Sequence, residues 1–196
     1  MNDQIIEELS KKIKSACGLS KKQIEKTILF LLNSDQAEID KGFLLIKELK
    51  SKIRKCQKCN NFSNNDICDI CLDKTRENKL MIVEHYQNIS KFEELNIYKG
   101  HYFILEGLYK LKNNDQVVLS NLEKLISMSK EYDEIILALS SDIEGQFTMQ
   151  YIQKLLRDKN KNINVYQLSI GIPMGAEIEY VDPTTLKQSL INKAKM

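Results

Sequence analysis

Two closely spaced cysteine pairs constrain the fold of this 196-residue chain more than any other feature. Cys56 and Cys59 form one CxxC motif, and Cys68 and Cys71 form a second after eight intervening residues. Each CxxC turn can direct two thiolates to one point, and two such turns complete the tetrahedral sulfur shell that structural Zn²⁺ prefers. The pattern therefore predicts one structural zinc ion, with no ligand position left for water or substrate.

Other uses of cysteine fit this segment less well. A disulfide framework needs an oxidising compartment, and the N-terminal stretch MNDQIIEELSKK has no apolar segment like that of a secretory signal. A redox CxxC is a single motif beside a βαβ unit, rather than a matched pair ahead of one. The fifth cysteine, Cys17, lies in an apolar context and is predicted to be a buried packing residue.

Composition and charge narrow the class of protein. With 42% apolar and 29% charged residues, and no apolar run near the roughly 18 residues of a membrane span, we expect a soluble cytoplasmic protein with no membrane partner. Residues 1–55 hold 12 Lys and Arg against 8 Asp and Glu, and residues 80–196 hold 13 against 15. The basic front half indicates an anionic partner, although a solvated helix face explains it equally well. A run of cations leads into the cysteines: Lys47, Lys50, Lys52, Arg54, Lys55 and Lys58.

The first 55 residues have the apolar spacing of three helices. Ser20 and Ser34 are the predicted N-caps of the second and third helices. The third helix is expected to turn one set of apolar residues inward: Ala37, Ile39, Phe43, Ile46, Leu49 and Ile53. A helical N-terminal region is therefore expected ahead of the zinc segment.

From residue 80 onwards the pattern changes to short apolar runs of strand length. These runs are LMIV (80–83), YFIL (102–105), IILAL (135–139) and NVYQL (164–168). Helical stretches separate them: Ser120 and Glu123 have the spacing of a capping box, and residues 146–157 carry apolar residues at helical intervals. Alternating strands and helices predict an α/β unit with a largely parallel sheet. The fold class is thus α + α/β.

Three further motifs follow the cysteines in order. They are Ile82-Val83-Glu84, Ile143-Glu144-Gly145 and the run GIPMGAEIEYVD at 171–182. With the helical N-terminus and the cysteine pairs ahead of them, these motifs resemble the RecR family of bacterial recombination proteins over essentially the whole chain. The run at 171–182 is the most specific, because the family usually shows G-V-P-x-G-G-E-L-E-Y-x-D there.

The resemblance implies a division into four parts. These are a helix-hairpin-helix DNA-binding region at 1–55, a four-cysteine zinc finger at 56–71, a Toprim domain at 79–175 and a C-terminal segment similar to a Walker B strand at 176–196. It also implies a recombination mediator without catalytic activity, which binds DNA as a ring-like homo-oligomer (a dimer or tetramer). With RecO, and possibly RecF, such a mediator helps RecA replace single-strand-binding protein on single-stranded DNA.

The resemblance also implies DNA-binding residues in the hairpin region. Lys22 and Lys26 fall where the family contacts DNA, one helical turn apart, and Lys21 is adjacent; solubilising lysines are the alternative. The hairpin turn itself departs from the family, because Cys17 stands in place of proline and Ser20 in place of the second glycine. Those glycines let backbone N–H groups approach a phosphate, and a Cβ at Ser20 is expected to restrict that approach.

The acidic residues of the Toprim region have two possible uses. In the family this patch helps to dock RecO, which makes Glu84 and Glu144 candidates for that contact. Toprim enzymes hold Mg²⁺ with acids at corresponding positions, so Glu84, Asp142 and Glu144 are a possible weak magnesium site. The alternatives to a mediator are therefore a Mg²⁺-dependent Toprim nuclease or primase-like enzyme, and a simple zinc-knuckle nucleic-acid module.

Overall fold

The computed structural model describes residues 4–112, 115–161, 163–193 and 195, and the chain divides into two units, Met1–Lys52 and Ile53–Met196. The first unit has three helices, as the sequence predicts. They are α1 (Gln4–Cys17), α2 (Lys21–Asn33) and α3 (Gln36–Lys52). Among the described residues, no helix is long and apolar enough to cross a membrane.

The turn between α1 and α2 confirms Ser20 as an N-cap. The backbone N–H of Gln23 donates to Ser20 Oγ at 3.4 Å, and the backbone N–H of Ser20 donates to Gln23 Oε1 at 2.9 Å, which is a capping box. Gly18 ends α1 with a φ of +63°, a conformation that glycine adopts without a Cβ penalty. Gly18 and Ser20 therefore fix where one helix stops and the next begins.

The predicted cap at Ser34 is wrong. The Ser34 hydroxyl donates backwards to the carbonyl of Phe30 at 2.8 Å, so it serves the end of α2. The first turn of α3 instead bonds to Asp35, whose carbonyl accepts from the N–H groups of Glu38 and Ile39. Asp and Ser are both good capping residues, and Asp35 directly follows Ser34, so capping preference alone does not select between the two positions.

The apolar residues of α3 are not turned inward. Phe43, Ile46 and Leu49 are 59–62% exposed, and Cys17 at the end of α1 is exposed as well, so both burial predictions are wrong. Among the described residues of this unit, only Ile24 and Ile28 are buried. Apolar residues on several faces of a helix need a covering layer on each face, and a unit of three helices does not supply them.

The second unit begins with the cysteine segment. Strands β1 (Arg54–Lys55) and β2 (Phe62–Ser63) pair antiparallel, and a short helix, α4 (Asp69–Leu72), follows them. This hairpin and its following helix hold all four predicted ligands, so we call Ile53–Asp73 the zinc knuckle.

A four-stranded parallel sheet forms the body of the second unit, as predicted. Its strands are β3 (Lys79–Val83), β4 (His101–Ile104), β5 (Glu134–Ala138) and β6 (Asn164–Gln167), in the order β4-β3-β5-β6. Its helices are α5 (Tyr86–Leu95), α6 (Gln116–Met128), α7 (Ile143–Lys159) and the C-terminal α8 (Pro183–Ile191). Single 3₁₀ turns lie at Ser129–Glu131 and Ile178–Tyr180.

Helices cover both faces of this sheet. Alternate strand residues Met81 and Val83 pack with Ile89 of α5 on one face. Leu80 and Ile82 pack with α6 and α7 on the other. A sheet covered on both faces gives continuously apolar strands, which is why β3 and β4 are evident in the sequence, whereas the edge strand β6 is largely exposed.

The starts of the later helices differ from the prediction at one point. Ser120 does not begin a helix, because α6 starts at Gln116 and Asp115 caps it by accepting the N–H of Val117 at 2.9 Å. Helix α7 starts at Ile143, capped by Asp142. A serine in mid-helix with a glutamate three residues later imitates a capping box without being one.

Candidate metal centre and acidic cleft

The zinc knuckle brings its four thiols together. The ligand atoms of Cys56, Cys59, Cys68 and Cys71 lie within 4.8 Å of one another, and Cys59 Sγ and Cys68 Sγ are 3.5 Å apart. Bonds of about 2.3 Å in a tetrahedral shell place sulfur atoms roughly 3.8 Å apart, so the thiols fit one Zn²⁺. No other such group of His, Cys, Asp and Glu occurs among the described residues.

Local hydrogen bonds shape the metal centre. The backbone N–H of Cys56 donates to the carbonyl of Asn61 at 2.7 Å, and that of Asn60 donates to the carbonyl of Cys56, which closes the first CxxC turn. The second pair lies at the start of α4, and the N–H of Cys68 donates to Cys56 Sγ at 3.3 Å. Backbone N–H groups directed at sulfur stabilise thiolates, as a zinc centre requires.

The thiols also perturb one another. Hydrogen bonds from Cys59 and then Cys71 hold the pKa of the Cys68 thiol below its usual range, whereas the same contact with Cys68 raises the pKa of Cys59. Four thiolates cannot share so small a volume without a cation. The arrangement therefore favours a bound divalent metal over four free thiols.

A buried polar junction joins the zinc knuckle to the sheet. Asn60 is buried with a φ of +65°, and its Nδ2 donates to the carbonyl of Ile104 at 2.9 Å and to Asn121 Oδ1 at 3.0 Å. Lys124 donates to Asn60 Oδ1 at 2.6 Å, and the N–H of Ile104 donates to the carbonyl of Cys59 at 2.9 Å. The knuckle is thereby fixed to the carboxyl end of β4.

Predicted partner-binding residues Glu84 and Glu144 line one cleft. This acidic cleft, of about 500 Å³, lies at the carboxyl ends of the strands, where parallel sheets usually place their sites. Its described lining residues also include Glu106, Asp115 and Lys110. The structure thus brings together two of the three acids that the sequence singled out.

Asp142 does not join them in this cleft. Its carboxylate accepts the N–H of Gly145 at 2.7 Å as the N-cap of α7. It lines a different cleft, of about 770 Å³, together with residues of α8. The predicted magnesium set is thus divided between two clefts, and it stays a prediction.

Cations already neutralise part of the acidic cleft. Lys55 pairs with Glu106 at 2.5 Å, and Lys110 pairs with Glu144 at 3.7 Å. The side chain of Glu144 is 58% exposed, so that pair is open to solvent. Exposed pairs of this kind contribute little to stability and can be exchanged for a partner's cation.

The predicted DNA-binding lysines share the start of α2. Lys21, Lys22 and Lys26 are all exposed, and none forms an ion pair with a carboxylate among the described residues. Their positive charges lie at a helix N-terminus, which itself favours a phosphate. The structure places them together, and their role stays a prediction.

The altered hairpin turn has an ordinary backbone at Ser20, and the restricted approach of a phosphate there stays a prediction. Ser20 has a φ of −66°, which any residue adopts, so its Cβ causes no backbone strain. Its hydroxyl already donates to Gln23 Oε1 at 2.8 Å. The backbone at Gly18 and the lysines of α2 remain the groups available for a phosphate.

The second basic run is partly committed to ion pairs. Lys52 pairs with Glu48, Arg54 with Asp66 at 2.8 Å, and Lys55 with Glu106. A charge that already has a partner contributes less to binding of an anion. This run is therefore a weaker candidate for DNA contact than the lysines of α2.

Two positions of the candidate site were not predicted from the sequence. Glu106 directly follows the apolar run at 102–105, and that position could have indicated it, since acids at the ends of parallel strands converge. Asn60 directly follows Cys59, in the loop between the two cysteine pairs, where asparagine is a common turn residue. Its buried bonds to Ile104 and Asn121 join residues far apart in the chain, which no local pattern reveals.

Comparisons with known proteins agree with this architecture. Family models match the RecR four-cysteine zinc finger domain at 53–73, the Toprim domain at 78–169 and the RecR C-terminal region at 171–193. The chain is 38% identical over 194 residues to the recombination protein RecR of Mycoplasmopsis pulmonis, covering 98% of this chain and 100% of that protein. The RecR of Ureaplasma parvum is 40% identical (94% and 92%), and that of Legionella pneumophila 33% (90% and 89%).

Proposed function

This chain belongs to the RecR family of recombination proteins, and on that premise we propose that it is a non-catalytic mediator of recombinational DNA repair. It binds single- and double-stranded DNA without sequence specificity, as a ring-like homo-oligomer in the cytoplasm. With RecO, and possibly RecF, it promotes loading of RecA onto single-stranded DNA coated by single-strand-binding protein. The observation that carries this proposal is the end-to-end similarity to RecR proteins.

The arrangement of the acids supports a role in binding rather than catalysis. Toprim metal chemistry needs carboxylates that converge on one ion. Here Asp142 caps α7 and lines a different cleft from Glu84 and Glu144. We therefore assign Glu84 and Glu144 to the RecO contact in this proposal.

The first unit supports both DNA binding and assembly. The lysines of α2, Lys21, Lys22 and Lys26, provide a compact cationic surface for the phosphate backbone. The exposed apolar residues of α2 and α3, such as Phe30 and Phe43, are a surface that a second copy can cover. In this proposal the helix-hairpin-helix region at 1–55, the zinc finger at 56–71, the Toprim domain at 79–175 and the segment 176–196 act as separate parts.

A reconstituted RecA-loading assay tests the mediator function. Single-stranded DNA coated with single-strand-binding protein is mixed with RecA, with and without this protein and RecO, and the DNA-dependent ATPase of RecA is followed. We expect a shorter lag only when both proteins are present. An unchanged lag, with RecO bound to the protein in the same mixture, would refute the mediator function.

The alternative is a Mg²⁺-dependent Toprim nuclease or primase-like enzyme. One observation favours it, since Glu84, Glu106 and Glu144 line the same cleft. Labelled DNA incubated with the protein and Mg²⁺ separates the two functions. We expect intact DNA; cleavage that disappears in the Glu144→Gln variant would establish the enzyme instead.

A further inference from the structure

An exposed aromatic pair lies beside the acidic cleft. Phe62 of β2 and Tyr86 of α5 are 47% and 45% exposed, and their rings meet edge to face with centroids 5.1 Å apart. One ring belongs to the zinc knuckle and the other to the helix that follows β3. Large aromatic side chains half-exposed on a surface are the groups that most often anchor a protein partner.

The aromatic pair and the acidic cleft form one continuous surface. Next to the acidic cleft, a smaller cleft of about 360 Å³ lies between the zinc knuckle and the start of α5. Phe62 and Tyr86 line this smaller cleft. Glu84 and Glu106 line this cleft and the acidic cleft alike. A ligand that extends from the acidic cleft into this smaller cleft therefore passes the two glutamates and reaches the aromatic rings.

The buried junction at Asn60 is connected to this surface by hydrogen bonds. The side-chain amide of Asn121 accepts from Asn60 through Oδ1 and donates to Glu106 Oε2 through Nδ2 at 3.1 Å. Lys55 of β1 pairs with the other carboxylate oxygen of Glu106. The zinc knuckle thus helps to orient an acid of the cleft.

The charges favour a basic protein segment over DNA. The described residues of the acidic cleft include four carboxylates and one lysine, so a phosphate backbone is repelled there. A partner lysine or arginine can displace Lys110 from Glu144, while an apolar side chain beside it packs on the aromatic pair. Acidic groups around an aromatic anchor match that combination.

We infer that the RecO-docking surface of the proposed function extends beyond Glu84 and Glu144 to Glu106, Phe62 and Tyr86, and takes a basic segment that carries an apolar side chain. The zinc knuckle is then part of the partner interface, in addition to its structural role. This inference rests on the proposed function, since it specifies the chemistry of the same contact.

Binding of RecO from the same bacterium to surface-tethered protein tests the inference. We expect the Phe62→Ser, Tyr86→Ser double variant to raise the Kd for RecO by at least about tenfold, as loss of an anchor pair does. The matched control is Leu95→Ser with Ile97→Ser, a more exposed apolar pair at the other end of α5, which should leave Kd unchanged. Zinc content and circular dichroism show that both variants fold.

Acid variants separate this inference from the proposed function. If Glu84→Gln with Glu144→Gln abolishes RecO binding and the aromatic variant does not change it, the extended surface is wrong and the acidic contact stands. If neither variant changes RecO binding, the assignment of RecO to this cleft fails as well. If the aromatic variant loses DNA binding and keeps RecO binding, the pair serves nucleic acid and the inference is overturned.

Discussion

At the scale of single residues, Asn60 both shapes a turn of the zinc knuckle and connects that turn to the sheet. It combines a left-handed backbone with two buried side-chain hydrogen bonds, to Ile104 and Asn121, and a partly buried one from Lys124. Asparagine is one of the few residues that tolerates this backbone conformation. The same side chain therefore forms the turn and connects it to the sheet.

Two substitutions at Asn60 separate these roles. Asn60→Gly keeps the backbone conformation and leaves buried partners unsatisfied, which should lower the free energy of unfolding by about 1–3 kcal/mol. Asn60→Ala loses the same bonds and adds roughly 1–2 kcal/mol of left-handed strain. Urea denaturation of both variants measures the difference. Equal stability of Asn60→Gly and the unmodified protein would show that the junction contributes nothing.

Residue roles could be predicted from the sequence where the interacting residues lie close together in the chain, and not where they lie far apart. The four zinc ligands follow from spacing alone, because a CxxC turn is a local geometry. Glu106 and Asn60 acquire their roles from strands that come together only in the folded sheet. The prediction that Cys17 is buried was wrong, because apolar neighbours in the sequence do not determine which side of a helix end faces solvent.

At the scale of elements, the N-terminal half of α2 combines a confirmed cap with three exposed lysines. We expect Lys22→Glu with Lys26→Glu to weaken DNA binding and leave RecO binding unchanged. The slope of log K against log salt should become shallower by roughly 0.7 to 0.9 for each lost phosphate contact. Fluorescence anisotropy over a salt series measures it.

A charge-matched control accompanies that variant. Lys11→Glu with Lys12→Glu on α1 makes the same change in net charge, at lysines that already pair with Glu7 and Glu8. This control should retain more of the affinity than the α2 variant. An identical loss in the two variants would mean that net charge, and no particular contact, determines binding.

The exposed apolar face of α2 and α3 leads to a second prediction for the elements. If this face forms the interface of the proposed oligomer, Phe30→Ser with Phe43→Ser should lower the oligomer's mass, because each ring removed costs apolar burial of about 25 cal/mol per Å². Light scattering after gel filtration gives the mass. Lys41→Ser on α3 is the control and should not change it. An unaltered mass in the double variant would place the interface elsewhere.

Strands were easier to predict than helix packing. Strands β3 and β4 are covered on both faces, so their apolar runs are continuous and their existence was evident. Helix α3 is apolar on several faces, and its sequence does not distinguish a face packed within one chain from a face left exposed. The capping errors at Ser34 and Ser120 have a related cause, since a local motif that fits two starting points does not select between them.

At the scale of the whole molecule, the zinc ion should contribute directly to the stability of the second unit, since metal binding and folding are coupled. We expect one zinc per chain by elemental analysis and a lower melting temperature after chelation. Zinc should be released as pH falls, because the ligands are thiolates and protons compete for them. Cys59→Ser should lose the metal and the stability together.

Cys17→Ser is the matched control for the zinc experiment. Cys17 is exposed and lies outside the four-thiol cluster, so its substitution should change neither zinc content nor melting temperature. Chelated protein that melts at the temperature of the zinc-loaded protein would contradict the structural role.

The hydrogen bond from Ile104 to the carbonyl of Cys59 also has a consequence for protein synthesis. The last zinc ligand, Cys71, is translated well before Ile104, so the knuckle can bind its metal while β4 has not yet left the ribosome. If zinc binds at that stage, the folded knuckle offers the carbonyl of Cys59 to β4 as that strand appears. We therefore expect zinc supply during synthesis to affect the yield of folded protein.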